Sequence, residues 1–405
     1  MPNPLHGIFG LRNNGLPLVF LAPMAGYTNS PMRRISHRYG AAMTYTEMAN
    51  VKGLLHSEDK RTWGLLETTK NEGPVVAHLF GTEPDEFAEV AVQIEQTKRF
   101  VAIDLNSGCP SRKIAEQGAG AELIKNPQRI HDIIAAMKKA VKLPITVKTR
   151  LGSTPDKVAA FEVLAAAESA GAAALAIHGR FASQLHKGDV NIKLIGEIKR
   201  RAQIPIIGNG DVHSRHSAWQ MFEETEVDAI MIGRAAVANP WIFDDLRVMF
   251  ASRTKPVKHP PSHARPRREI ELIKTALESH LKLEREHLQM LHDKYGIVAE
   301  DKIEETLAHV FRYHLFRYLR GLRGSAGMRQ RLNELKTLDA IREAVNTCFT
   351  REETYRANEK PTKSQKRRVK QVAKAKAKKA AAAAAAEAAA EAADEIPPLI
   401  ESFEA

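Results

Sequence analysis

Residues 204–210, IPIIGNG, and residues 227–234, VDAIMIGR, have the same build: an apolar run of strand length that stops at a glycine next to a polar side chain. Such a run, apolar at consecutive rather than alternate positions, is what a strand covered on both faces requires. Working outward, the unit recurs at 18-LVFLAPM-24, 43-MTYTEM-48, 74-PVVAHLF-80, 101-VAIDLN-106, 144-PITVKTR-150 and 173-AALAIHGR-180. Between the runs lie helix-like segments such as 84-PDEFAEVAVQIEQ-96 and 155-PDKVAAFEVLAAAESAG-171. Strands alternating with helices make a parallel α/β sheet, either doubly wound or closed. Eight repeats within residues 1–245 favour closure, a (β/α)8 TIM barrel.

Past the barrel the pattern changes. Residues 246–268 hold seven Lys/Arg and no acid, break every periodicity and read as a basic linker. From 269 to 350 the spacing is helical: Ile273, Leu277, Leu281, Leu288 and Leu291 share one face, and Ile303, Leu307, Val310, Phe311 and Leu315 another. This small helical domain sets Arg312, Arg317, Arg320 and Arg323 among Tyr313, Phe316 and Tyr318. Residues 351–405 form a Lys/Ala-rich tail with nothing to bury, expected to be disordered or a solvated helix.

Composition narrows the class. The 405 residues are 43% hydrophobic and 6% aromatic, enough for a sizeable core and unlike a disordered chain. Two cysteines, Cys109 and Cys348, are too few for a disulfide framework or a zinc site. No secretory signal or transmembrane run is expected, and the reading is of a cytoplasmic protein in a reducing compartment. The net charge of +12 is uneven, because residues 356–379 carry eleven Lys/Arg against one acid, Glu359. Clusters of that kind point to a polyanion, usually a nucleic acid, although a solvated solubility tail has the same composition.

In a (β/α)8 barrel the chemistry belongs at the C-terminal strand ends. Polar residues fall there: Pro23, Met24, Ala25 and Gly26 after strand one, and Asn106 and Cys109 after strand four. Lys148 and Arg150 close strand five, and His178 and Arg180 strand six. Asn209, Gly210 and Asp211 follow strand seven, and Gly233 and Arg234 strand eight, where such barrels hold a phosphate. An isolated cysteine is usually a small buried apolar residue. Cys109 follows Asn-Ser-Gly and precedes proline, a loop context that favours function, whereas Cys348 sits on an apolar helix face with Ile341 and Val345. Inward charge at Lys148 and Arg150 is costly without an anionic ligand.

These residues carry a resemblance. The stretches 21-LAPMAGYTNSPMR-33 and 104-DLNSGCPSRKIAEQGAGAELIKNP-127, with VKTRLG, IHGR, IIGNGDV and MIGRAA, resemble the tRNA-dihydrouridine synthases, flavin-dependent TIM-barrel enzymes with a C-terminal helical tRNA-binding domain. The segments 281-LKLEREHLQMLHDKYG-296 and 315-LFRYLRGLRGSAGMRQRL-332 look most like the bacterial B-type branch. The resemblance implies FMN as cofactor, NADPH or NADH as reductant and tRNA as partner, with a D-loop uridine as target. No metal, membrane or obligate protein partner is implied, and a monomer is expected.

By the same resemblance Cys109 is the general acid giving a proton to uracil C5 while hydride from FMN N5 reaches C6. A thiol is mostly protonated at neutral pH, as a donor must be. Asn106, Arg150 and Gln184 are implied to hold the uridine. Lys148 is implied to contact the flavin, His178, Arg180, Asn209–Asp211 and Gly233–Arg234 its phosphate end, and Pro23–Gly26 the ring. Two positions depart from the family pattern: His78, implied to contact the flavin, stands where glutamine is usual, and His186 near a usual aromatic. A small-molecule FMN oxidoreductase like the dihydroorotate dehydrogenases is the competing reading, and a non-catalytic RNA-binding barrel a third. The helical domain argues against the former, and intact Cys109, Lys148, Arg150 and His178 against the latter.

Overall fold

All eight apolar runs form strands in a computed structural model, which describes residues 4–9, 18–56, 60–69, 71–253, 255–256, 268–335 and 337–358. The strands are β1 (Leu18–Leu21), β2 (Met43–Tyr45), β3 (Val75–Phe80), β4 (Ala102–Ser107), β5 (Ile145–Arg150), β6 (Ala174–His178), β7 (Ile206–Asn209) and β8 (Ala229–Ile232). Each pairs in parallel with the next, and β1 pairs with β8 in the register Leu18↔Ala229, which closes the ring.

Alternate side chains divide the barrel into two cores. Val19, Leu21, Val75, Ala77 and Leu79 face outward into the helix layer, while Phe20, Tyr45, Val76, Ala102, Ala176 and Met231 fill the interior. Phe9, from a short N-terminal helix, joins that interior core. The helices meet the sheet through one stripe each. In α1 (Pro84–Thr97), Phe87, Val90, Ala91 and Ile94 recur at i, i+3, i+4 and i+7 and are all buried. Proline in its first turn and left-handed Lys98 at its end set the boundaries.

Beyond the barrel, α2 (Ile270–Tyr295) and α3 (Ile303–Tyr318) lead into Ser325–Glu334 and Leu338–Asn358. Their core gathers Ile273, Leu277, Leu281, Leu288, Leu307, Phe311 and Leu315 and draws in Ala238 and Trp241 from the end of the barrel. Polar ties add to this: Arg38 donates to Ser279 Oγ at 2.7 Å, and Lys294 Nζ and Tyr295 Oη reach Glu67 Oε2 at 2.7 and 2.5 Å. The described residues up to Phe349 group as one compact unit, and a second unit begins at Thr350.

Three segments differ from the sequence expectation. The basic linker does not start at 246, because the helix Trp241–Ser252 continues through it and buries Leu246, Met249 and Phe250. Basic composition hid an apolar stripe. The helix expected from 155 starts at Ala160; Gly152–Thr154 and Lys157–Val158 instead pair antiparallel around Pro155 and Asp156, both turn formers. The last helix runs to Asn358, past the expected domain end, and most of the linker and the Lys/Ala tail lie outside the described residues.

Candidate active site

The barrel's open end is built by β4 to β7. Asn106 pairs in register with Lys148, and one step nearer the strand ends Arg150 pairs with His178 and His178 with Asn209, so polar side chains line two successive steps of the mouth. Asn106 Oδ1 accepts from the amides of Gly108 and Cys109 at 3.0 and 2.9 Å, and its Nδ2 lies 3.3 Å from Met48 Sδ. That clamp presents Cys109 as a half-buried free thiol. The loop is fixed from its far side by the Ala121 amide, which donates to Cys109 O at 2.9 Å. Gly120 makes the approach possible: its φ is +62°, and a Cβ there would come within 2.7 Å of the same carbonyl.

Arg150 is 2% exposed and does not reach freely into the mouth. Its Nε donates to Gly108 O at 2.8 Å, and its Nη1 to Phe181 O at 3.1 Å and Leu185 O at 2.7 Å. One guanidinium thus braces the cysteine loop against the loop after β6. Arg180 grips that second loop from below, donating from Nε to Lys187 O and Gly188 O at 3.1 Å each and pairing with Asp211. Gln184 is also used internally: its Oε1 accepts from the Phe181 amide at 2.8 Å. The structure therefore places Asn106, Arg150 and Gln184 as loop supports, a use that sequence reasoning did not anticipate. It missed Leu185 too, which sits at φ +53° and is 49% exposed on the rim.

Charge in the mouth is mostly positive. Among the described residues Lys148 Nζ meets only Asn209 Oδ1, at 3.4 Å, and burial, with Arg150 next in weight, pulls its pKa down to about 8. Burial lowers Arg150 to about 10. His178, stacked 6.2 Å from His186, stays neutral, held far below the imidazole range by burial and then by Lys148, Arg150 and Arg180. Asp211 accepts from both Arg180 and the half-exposed Arg234, and Asn209 Nδ2 ties to Met231 O at 2.8 Å. Above Gly233 there is room, since a Cβ would meet nothing closer than Met24 Sδ at 3.6 Å. At the β1 end, the Met24 amide donates to Thr28 Oγ1 at 2.9 Å and the Gly26 amide to Glu47, leaving Ala25 and Gly26 exposed on the rim.

A level below Lys148, His78 Nδ1 lies 2.6 Å from Asp104 Oδ2. Away from the mouth, a second polar cluster lines the seam between α2, α3 and the barrel. There Asn29 Nδ2 donates to Glu284 Oε1 at 2.7 Å, and His280 stacks edge-on to His314 at 4.5 Å. Burial raises Glu284 to about 7 and lowers His287 and His314 to about 4 each.

A glycine-pinned thiol beside a lysine and three arginines at a barrel mouth suits an electron-rich planar ligand carrying an anionic group. The sequence model of the dihydrouridine synthase family matches residues 20–354. The chain belongs to the dihydrouridine synthase family. Within it, a relative from Pasteurella multocida called tRNA-dihydrouridine synthase B is 32% identical over 329 residues, 81% of this chain and 90% of its own length. One of the same name from Pseudomonas aeruginosa is 33% identical over 331 residues, covering 82% and 92%. A probable tRNA-dihydrouridine synthase from Aquifex aeolicus is 37% identical over 232 residues, covering 56% and 72%. The family match spans the barrel and most of the helical segment together.

Proposed function

We propose that this protein is a tRNA-dihydrouridine synthase that binds FMN in the barrel mouth, draws electrons from NADPH or NADH, and reduces the C5=C6 bond of one class of uridine, in the D-loop of tRNA. The observation that carries the reading is Cys109, a free thiol on a loop clamped by Asn106 and Arg150, next to the cationic level of Lys148. The donor set fits the cofactor: Lys148 is a poorly partnered ammonium in the mouth, and Arg234 with the open space at Gly233 offers an anion a cationic, uncrowded seat.

Bound there, a reduced flavin would supply the hydride for uracil C6. Cys109 Sγ holds the proton that goes to C5 on the base's other reacting carbon. As charge develops towards the C4 carbonyl, the cations of the mouth stabilise it in a setting that excludes water. Lys148 would lie against the ring, with Pro23–Gly26 covering it. His178, Asn209–Asp211 and Gly233–Arg234 would receive the phosphate end, Arg180 setting the Asp211 carboxylate in place. Asn106, Arg150 and Gln184 act on the uridine side by shaping the two loops that flank it. The target base must leave its stack to reach Cys109, and the helical segment and basic linker would grip the tRNA phosphates while it does. Such a substrate puts the reaction in the cytoplasm.

Lys148→Ala tests the cofactor half directly. Wild-type protein should purify yellow, with flavin absorption bands that the variant lacks. A fully flavinated Lys148→Ala protein would contradict the role given to Lys148.

A further inference from the structure

The floor of the mouth carries a relay that neither the proton donor nor the anion cradle uses. His78, Asp104 and Thr146 are register partners across β3, β4 and β5. His78 Nδ1 lies 2.6 Å from Asp104 Oδ2, and Asp104 Oδ1 accepts from Thr146 Oγ1 at 2.5 Å. The His78 amide is fixed as well, donating to Thr46 Oγ1 at 3.0 Å. With Nδ1–H given to a carboxylate, the free Nε2 accepts when the ring is neutral and donates once it is protonated. No described protein atom hydrogen-bonds to Nε2.

The charged and titratable groups around this imidazole come from three strands. Asp104 on β4 is its partner. Lys148 on β5 stands one level above, its pKa lowered to about 8 by burial and then by Arg150, with Asp104 pulling the other way. Tyr45 on β2 meets the ring edge-on at 6.4 Å, and burial keeps its hydroxyl a phenol. The buried Asp104 carboxylate, aligned on one ring nitrogen, orients the imidazole and supplies a counter-charge for a proton on the other.

We propose that His78 Nε2 takes up a proton when a flavin above it is reduced, so that the protein balances the charge of the reduced ring. This rests on the flavin reading given above. Two electrons and one proton at N5 leave the reduced ring with one negative charge. The second proton comes from solvent and bonds to His78 Nε2, while Asp104 stays ionised and holds the ring through Nδ1–H. No covalent bond to the protein forms or breaks, and the electrons come from the nicotinamide or, in the test, from dithionite.

The test is the pH dependence of the flavin midpoint potential in the full-length flavinated protein, titrated with dithionite against a reference dye from about pH 7 to about pH 9, above the ordinary imidazole range. Each proton taken up per electron pair shifts the couple tenfold per pH unit, about 30 mV for two electrons. Wild type should therefore fall by about 60 mV per unit over part of this range, and His78→Gln by about 30 mV, with His78→Asn as a second variant should glutamine fail to fold. A wild-type slope of one proton throughout overturns the proposal without recourse to any variant. Equal two-proton slopes in wild type and variant also overturn it, because the proton then sits elsewhere. A protein that binds no flavin overturns the cofactor reading and this inference together, a failure visible before any titration begins.

Discussion

The barrel mouth and the seam beneath α2 both bury titratable side chains, and they treat charge in opposite ways. In the mouth, the two buried arginines are met by carbonyls and a carboxylate: Arg150 reaches three backbone oxygens, and Arg180 reaches two carbonyls and Asp211. In the seam, His280, His287 and His314 are pushed to the neutral state and Glu284 towards its acid, and each of the four keeps a buried polar atom without a protein partner. Paired burial preserves charge for chemistry, whereas unpaired burial removes it. The mouth is thereby prepared for an anion, and the seam is a joint whose stability depends on pH.

The largest effect that could break this contrast is at Cys109. Cys109→Ala should keep flavin and tRNA binding yet reduce uridine about a hundredfold or more slowly, the usual weight of a general acid. Wild-type single-turnover rates in that variant would remove the thiol from the reaction. Next in size, Arg180→Ala strips donors from Lys187 O, Gly188 O and Asp211, and should cost roughly 1–3 kcal/mol in denaturant unfolding, as leaving polar groups without their hydrogen bonds does. An unchanged midpoint would show that the loop needs no such grip.

The seam makes a prediction with a definite sign. Folded Glu284 keeps its proton to about pH 7, whereas an ordinary glutamate releases it near 4.5, so this group makes stability fall as pH rises between those values. His287 and His314 work the other way: their ordinary value is 6.5 and their folded value about 4, so stability falls as pH drops through that window. His280 shifts in the same direction. Glu284→Gln should therefore steepen the acid-side loss between about 4.5 and 6.5 by roughly 1.4 kcal/mol per pH unit. Parallel stability curves for variant and wild type would mean that the seam is wetter than its burial implies. The smallest effect concerns the basic tail. Ending the chain at Asn358 should weaken tRNA binding and flatten its salt dependence, and an unchanged slope of log affinity against log salt would leave the tail no part in RNA contact.

The barrel was legible because each buried parallel strand leaves a continuous apolar run, and its site because polar residues follow those runs at fixed places, as at Asn106–Cys109 and Asn209–Asp211. What stayed hidden had partners that leave no mark in a sequence. Arg150 and Gln184 were recognisable as polar groups of the mouth, but their partners are backbone atoms of Gly108, Phe181 and Leu185. In the seam, His280, Glu284 and His287 follow the spacing of the apolar stripe of α2, and the residue that binds Glu284, Asn29, is 255 positions away. The His78–Asp104 pair needed the strand register, since 26 residues separate its members along the chain.

The central claim is that this mouth reduces a uridine in folded tRNA. The direct measurement is to incubate the flavinated protein and NADPH with tRNA lacking dihydrouridine, then digest the tRNA and map it by mass spectrometry. A gain of two hydrogens on uridine at a defined D-loop position, lost with Cys109→Ala, is the result the account predicts. Flavinated, reducible protein that leaves every tRNA uridine unchanged would contradict it.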